Sequence, residues 1–451
     1  MTTEEKGYPP PMPILLAFLF ACATALVSLP RGAEDGEQAQ LVKPISKTAG
    51  IDGVVIRVTN LAAEGPGSLR EALDDRRPRL VVFEVGGVID LRGRSLVVRE
   101  PHLTVAGQTA PDPGITIIRG SLVVETSDVV IQHIAVRPGD GASSEADRTP
   151  DAMGTRRGKS GPVRDVVFDH CSATWAIDEN LSASGPADVD SANDIDITSH
   201  DITLRSCLIA EGLSHSVHPK GEHSKGTLIH DGVRNVSIIG CLYAHNRERN
   251  PRLKGGTTAT LFGSVMYDWG NQCVGVGARG NRRILEPAEA MLIDNVAIAG
   301  PDTRSGVFVK SVDPGAKVML RDNVAVDAHG APLRLADDGV RAVIDRPAEA
   351  GAYTQLERVL RTAGSRPARR DAVDARIVQS VIDGTGHIID GQQQVGGYPV
   401  RGATKRALVV PENQRAGWLQ RMSDELEIGA ILDMTPLWKR LNVAPSPDSR
   451  K

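Results

Sequence analysis

Val167-Phe168-Asp169-His170-Cys171, Thr203-Leu204-Arg205-Ser206-Cys207 and Ser237-Ile238-Ile239-Gly240-Cys241 are copies of one phrase. Each is a short hydrophobic strand that closes on a small or amide residue and leads into a further apolar pair. The phrase continues as Thr260-Leu261-Phe262-Gly263-Ser264, Met291-Leu292-Ile293-Asp294-Asn295 and Met319-Leu320-Arg321-Asp322-Asn323, and Val105 to Gln108 and Ile131 to Ile134 fit the same frame. The closing residues fall at 108, 134, 171, 207, 241, 264, 295 and 323, in uneven steps of 23 to 37 residues. Such spacing predicts a solenoid whose coils share a core and differ in their loops. Segments of four to six residues rich in Val and Ile, separated by polar corners and without helical periodicity, make it a parallel β-helix.

The chain has 451 residues, which a one-dimensional stack accommodates without division into ordinary domains. A net charge of -4 gives no global argument for nucleic acid as a partner. Glycine (46) and proline (28) suit a chain full of tight corners, whereas aromatics at 3% are few for a sugar binder that works by ring stacking. A sugar ligand would be held by charge.

Ile14 to Leu29 is an apolar run ending at Pro30. It is short for a membrane span and suits the hydrophobic region of a signal peptide, with Ala23-Thr24-Ala25 as the small-x-small cleavage site. Residues 1–25 are therefore expected to be a signal peptide and 26–50 a linker, giving a secreted or periplasmic protein with no stable membrane span after cleavage. Four cysteines would remain. Cys171, Cys207 and Cys241 occupy one slot of successive repeats and should lie about 4.8 Å apart on adjacent rungs. They read as a ladder of buried thiols acting as small hydrophobes, although the spacing also permits a disulfide in an exported protein.

The β-helix is expected over 51–345. Ser68-Leu69-Arg70-Glu71 has the form of a capping box opening a short helix, Leu69 to Leu73, that covers the first coil. Two excursions leave the stack, Arg137 to Val163 and Leu181 to Asp201, the second carrying Asp188, Asp190, Asp194 and Asp196. Residues 346–451 form a C-terminal extension packed along the solenoid, with amphipathic helices over Tyr353 to Ala363 and Arg370 to Asp383 and no regular repeat from Arg401 onward. A monomer is expected.

Function collects on the loops of a rigid scaffold. His215 to Lys254 supplies His215, His218, Lys220, His223, Lys225, Arg247, Arg249, Arg252 and Lys254. Lys225 and the Arg249 to Lys254 run are one coil apart, so both can face one groove. Concentrated cations on an otherwise acidic chain point to a polyanionic ligand. A solvated basic face balanced by Glu222 and Glu248 is the plainer alternative.

Arg249-Asn250-Pro251-Arg252-Leu253-Lys254-Gly255-Gly256 resembles the arginine-x-proline motif of the pectate lyases of polysaccharide lyase family one. Val167 to Ser172 resembles their strand signature, and Val105 to Thr109 suits relatives of that family. The resemblance covers roughly residues 50 to 330. It implies a right-handed parallel β-helix that cleaves polygalacturonate or a related polyuronate by β-elimination, usually with calcium. By position, Arg249 matches the proposed base that removes the C5 proton of the uronate. Lys225 and Lys254 match positions that bind or polarise substrate carboxylates, and Arg252 is an added cation able to do the same. Fixed cations stabilise the enolate-like charge as it develops. An arginine is ordinarily protonated, so the base role requires neighbours such as Lys225 and Lys254 to favour its neutral form.

The family's calcium site pairs two carboxylates on one rung with two on the next. Here the first pair reads Thr149-Pro150-Asp151 and the second Asp178-Glu179-Asn180-Leu181-Ser182, so Asp151 and Asp178 match, while Asp147 and Glu179 could compensate. The expectation is a weak calcium site at Asp151, Asp178 and Glu179, completed by substrate carboxylates and water. Two other functions compete with the lyase: a non-catalytic β-helix that binds acidic polysaccharide, and a polygalacturonase-like hydrolase, which needs acids flanking the scissile bond.

Overall fold

Val81, Val105, Ile131, Phe168, Leu204, Ile238, Leu261, Leu292 and Leu320 stand in one column, each paired in register with the next through parallel strands. All nine are buried. A side chain at the same place in every coil must meet its own counterpart above and below, so one aliphatic position repeated down the sequence becomes one continuous core. Burying each such side chain contributes about 1.5–3 kcal/mol.

The computed structural model describes residues 49–142, 149–158, 161–186, 197–277, 286–313, 315–345, 349–400, 402–427 and 432–443. The expected signal peptide and most of the linker, together with Asp147, Asp188, Asp190, Asp194 and Asp196, lie outside the described residues. Successive coils feed three sheets. The first has 11 strands, from Val54–Val58 to Arg341–Asp345, and the third has 9, from Leu96–Val98 to Arg334–Ala336. The second, of 10 strands, runs from Val85–Asp90 to Val324–Val326 and adds Thr404–Lys405 antiparallel at its first edge. Each sheet is otherwise parallel and ordered as the chain runs. This is a right-handed parallel β-helix.

The closing residues have a common task. From Ile134 onward each follows a residue of left-handed backbone at the corner between the first and second sheets: His133, His170, Ser206, Gly240, Gly263, Asp294 and Asp322, with φ from 48° to 61°. Gly and Asp suit such a corner. At five of these corners the next side chain reaches back one rung. Cys171, Cys207 and Cys241 place Sγ 3.5–3.6 Å from the carbonyls of Ile131, Phe168 and Leu204. Asn295 and Asn323 donate Nδ2–H to those of Leu261 and Leu292 at 2.9 and 2.8 Å. The three cysteines thus sit on consecutive rungs as free buried thiols. Burial pushes Cys171 and Cys207 well above the ordinary thiol value, which keeps them protonated as weak donors.

Helix α1 (Leu69–Asp74) begins at the N-cap Ser68, whose Oγ accepts from Glu71 N, while the Glu71 carboxylate accepts from Gly67 N at 2.7 Å. The Ser68 cap forms, but Glu71 binds the residue before the cap while Ser68 N–H donates to Gly65 O, so the expected capping box is incomplete. Fully buried Arg79 closes the other end, donating to the carbonyls of Ala72 and Leu73 at 3.1 and 2.7 Å. At the far end α2 (Glu349–Thr362), α3 (Ala372–Asp383), α4 (Arg415–Glu427) and α5 (Thr435–Leu441) follow the last coil. The last two lie where the sequence shows no regular repeat: each buries a few positions of an otherwise polar surface, a signal too thin to read without the wall it faces. Apolar residues of α2, α3 and α5 cover the outer face of the second sheet at Leu208, Leu242, Val265, Val296 and Val324.

Buried polar contacts fix these helices in place. Arg137, fully buried, pairs with Asp371 and Asp374 at 2.6 and 2.8 Å. His133 donates from Nδ1 to Ser365 O at 2.8 Å and accepts the Ser423 hydroxyl of α4 on Nε2 at 2.6 Å. Burial, with the His170 ring stacked at 5.0 Å, drops His133 from 6.5 to about 3. Its stabilising contribution is complete above the unfolded value and is lost as pH falls from 6.5 toward 3. Wild-type stability should therefore drop by about 2 kcal/mol more than that of His133→Gln between pH 7 and pH 5. Denaturant unfolding of both proteins across that range measures the difference.

Candidate active site

The candidate site lies where the third sheet meets the corner after the second. Glu179, Lys225 and Glu248 pair in parallel on three consecutive rungs, so a cation stands between two carboxylates along the stack. Lys225 Nζ is 2.8 Å from Glu248 Oε2 and is almost wholly buried. Burial lowers the Lys225 pKa and Glu248 opposes that shift. Arg247 is likewise taken up, at 2.6 Å from Glu222. The acids identified as possible partners of the basic run do pair with it.

Arg249 follows Glu248 in a left-handed conformation, φ 65°, ahead of the cis Asn250–Pro251 bond. Thr227 N–H donates to its carbonyl at 2.7 Å. Gly226 makes that approach possible, because a Cβ there would lie 2.5 Å from Arg249 O. The turn is tied internally by Asn246. Its Oδ1 accepts from Asn180 Nδ2 and Gly212 N at 2.9 and 3.0 Å, and its Nδ2 donates to Ile209 O and Asn250 Oδ1 at 2.9 and 3.1 Å. Asn246 does shape the turn, as a fully buried hub.

The guanidinium of Arg249 forms an ion pair with Glu179. Burial lowers the Arg249 pKa, Asp178 and Asp151 work against that shift, and Arg252 assists it. Arg252 is thus a neighbouring cation that favours its neutral form. Lys225 has its charge matched by Glu248, one rung away. Arg252 sits on the strand Arg252–Leu253, paired in register with Leu228 and Gly275, and forms no ion pair among the described residues. Lys254 follows it; burial lowers its pKa and Asp231 opposes. These two cations are left to the groove.

The three expected metal-site acids come together. Asp151, Asp178 and Glu179 offer carboxylate oxygens that all lie within 4.8 Å of one another. Asp151 Oδ1 also accepts Glu179 N–H at 3.0 Å. Ser182 turns away, its hydroxyl accepting from Leu228 N at 3.2 Å. The part played by two histidines escaped the sequence reading. His223 Nε2 lies 2.5 Å from Asp178 Oδ1, and His218 stacks on His223 with ring centres 3.8 Å apart. Their carboxylate partner, Asp178, is 45 residues from His223 in sequence and 40 from His218, so only the return of the loop onto the site pairs them. Burial works to raise the Asp178 pKa, but the bond and charge of His223, with Arg249 and His218, hold it below the usual carboxylate range.

A protein of Emericella nidulans named "Probable pectate lyase C" is 32% identical over 86% of this chain and 84% of its own length. One of the same name from Aspergillus terreus is 32% identical over 83% of this chain and 82% of its own. The chain belongs to the pectate lyase family. It is a polysaccharide lyase, and the groove described above is where its cations and clustered acids meet. No family model matches the chain. Among solved structures, the major cedar pollen allergen Jun a 1 aligns with 74% of this chain and 97% of its own at 13% identity and a TM-score of 0.49. No helix among the described residues is long and apolar enough to cross a membrane.

Asn246→Ala would strand Asn180 Nδ2 and the Gly212 N–H in a dry turn. It should lower the unfolding free energy by about 2–3 kcal/mol, measured by urea denaturation.

Proposed function

We propose that this lyase cleaves polygalacturonate or a closely related polyuronate by β-elimination, with Arg249 as the base. The observation that carries the reading is the position of Arg249: a largely buried guanidinium between the acids Asp151, Asp178 and Glu179 and the open cations Arg252 and Lys254. In the reaction the C5 proton passes to the neutral guanidine, the C5–H electron pair forms the C4–C5 double bond, and the C4–O bond breaks. The departing oxygen takes a proton from solvent. Arg252 and Lys254 bind the uronate carboxylate and stabilise the enolate-like charge that builds beside C5. Lys225 keeps the Glu248 carboxylate neutralised at the wall of the groove. Burial and Arg252 bring Arg249 toward its neutral form, so turnover should be greatest at alkaline pH.

Asp151, Asp178 and Glu179 fit a calcium ion, since three acidic oxygens converge in one place and calcium is a hard cation that selects oxygen donors. When bound it would join these acids to uronate carboxylates and neutralise part of their charge. His223 fixes the orientation of Asp178 toward that position. The apolar N-terminal run supports action outside the cytoplasm.

Release of unsaturated uronate, followed by ultraviolet absorbance, tests the reading. Arg249→Lys keeps a positive charge but loses the planar fork and its reach. Turnover should fall by about three orders of magnitude or more, with the Michaelis constant little changed. Near-normal turnover in this variant would remove Arg249 from the base role. Chelation should lower wild-type activity and added calcium should restore it. Activity indifferent to both would show that the acids do not serve a metal in turnover.

A further inference from the structure

We infer that Glu179 is the switch residue of this site: it restrains Arg249 while no cation is present, and releases it when its carboxylate turns to a divalent cation. The inference rests on the lyase reading above and adds a control to the same groove.

Glu179 belongs to two arrangements at once. It forms the ion pair with Arg249, and it is one of the three acids whose oxygens cluster within 4.8 Å. Its side chain is 6% exposed and that of Arg249 is 15%, so the pair sits where solvent screens it little. Opening such a buried pair leaves two unmatched charges, so it gives way only when another cation takes the carboxylate.

Both backbones are fixed, so only side chains need move. Glu179 N–H is held by Asp151 Oδ1 at 3.0 Å, and its carbonyl accepts Ala152 N at 3.0 Å. The Arg249 carbonyl is held by Thr227 N–H. One carboxylate cannot neutralise a guanidinium and a divalent cation together, and those two cations repel each other across it. Binding free energies are reciprocal: if a cation frees Arg249, then Arg249 weakens the binding of that cation by the same factor.

Two measurements on the folded full-length protein test this, with calcium alone as the ligand. The first is the rate at which phenylglyoxal modifies Arg249, followed by mass spectrometry with and without calcium; Arg247, paired with Glu222, is the internal reference. Calcium should speed modification of Arg249 by about 5-fold or more and leave Arg247 unchanged. An unchanged or slower rate, or no calcium binding at all, overturns the inference. The second is calcium affinity by calorimetry in a double-mutant cycle. Arg249→Ala should tighten calcium by about 10-fold when Glu179 is present, and by less than about 2-fold beside Glu179→Gln. Equal tightening in both backgrounds would mean simple charge repulsion and sink the switch. Where Glu179→Gln binds too weakly to measure, the modification rates decide. If calcium frees Arg249 while no unsaturated product forms, the switch stands and the lyase reading falls.

Discussion

In-register stacking is the constraint on which everything else here depends. Parallel strands fix each coil at one rung spacing from the next, so a residue type repeated at one place becomes a column. The interior column from Val81 to Leu320 excludes water and supplies the main stabilisation. The corner column differs: after left-handed residues such as His170 and Ser206, thiol and amide donors reach the carbonyl one rung back with the same geometry at five of its rungs.

The same register assembles the chemistry. Glu179, Lys225 and Glu248 are far apart in sequence, yet they are neighbours along the stack, and their alternating charge lets three ionic groups share a buried wall. Arg249 reaches back past the Lys225 rung to Glu179. Arg252 and Lys254 lie beyond these pairings. The groove is thus made from one rung's surplus cations set against another rung's surplus acids.

Much of the site was legible because it lies in short continuous phrases. Arg249 to Lys254 is one run, and Asp178 and Glu179 are adjacent, so their membership of the groove followed from the repeat frame. Ionic partners were harder. Nothing local says that Glu248 takes Lys225 or that Glu222 takes Arg247. Those choices depend on which side chains meet across rungs and how far each is removed from water. The two histidines on Asp178 were visible as residues and invisible as a pair, since a loop must fold back across 45 positions to bring one of them there. The helices α4 and α5 were missed for a related reason: their buried faces are narrow, and the surface that makes them helices is supplied by the rest of the molecule.

By itself the sequence determined the repeat, the parallel β-helix, the capping helix α1, the alignment of three cysteines and the run of residues that carries the chemistry. Each of these is a matter of local pattern: periodic apolar positions, turn residues and capping signals act over a few neighbours. Tertiary structure alone decided which charges cancel. It closed Lys225 and Arg247 into ion pairs, left Arg252 and Lys254 open, gathered Asp151 with Asp178 and Glu179, and set Arg249 against one of them. An ion pair depends on distance and on exclusion of water, and both exist only once the coils are stacked.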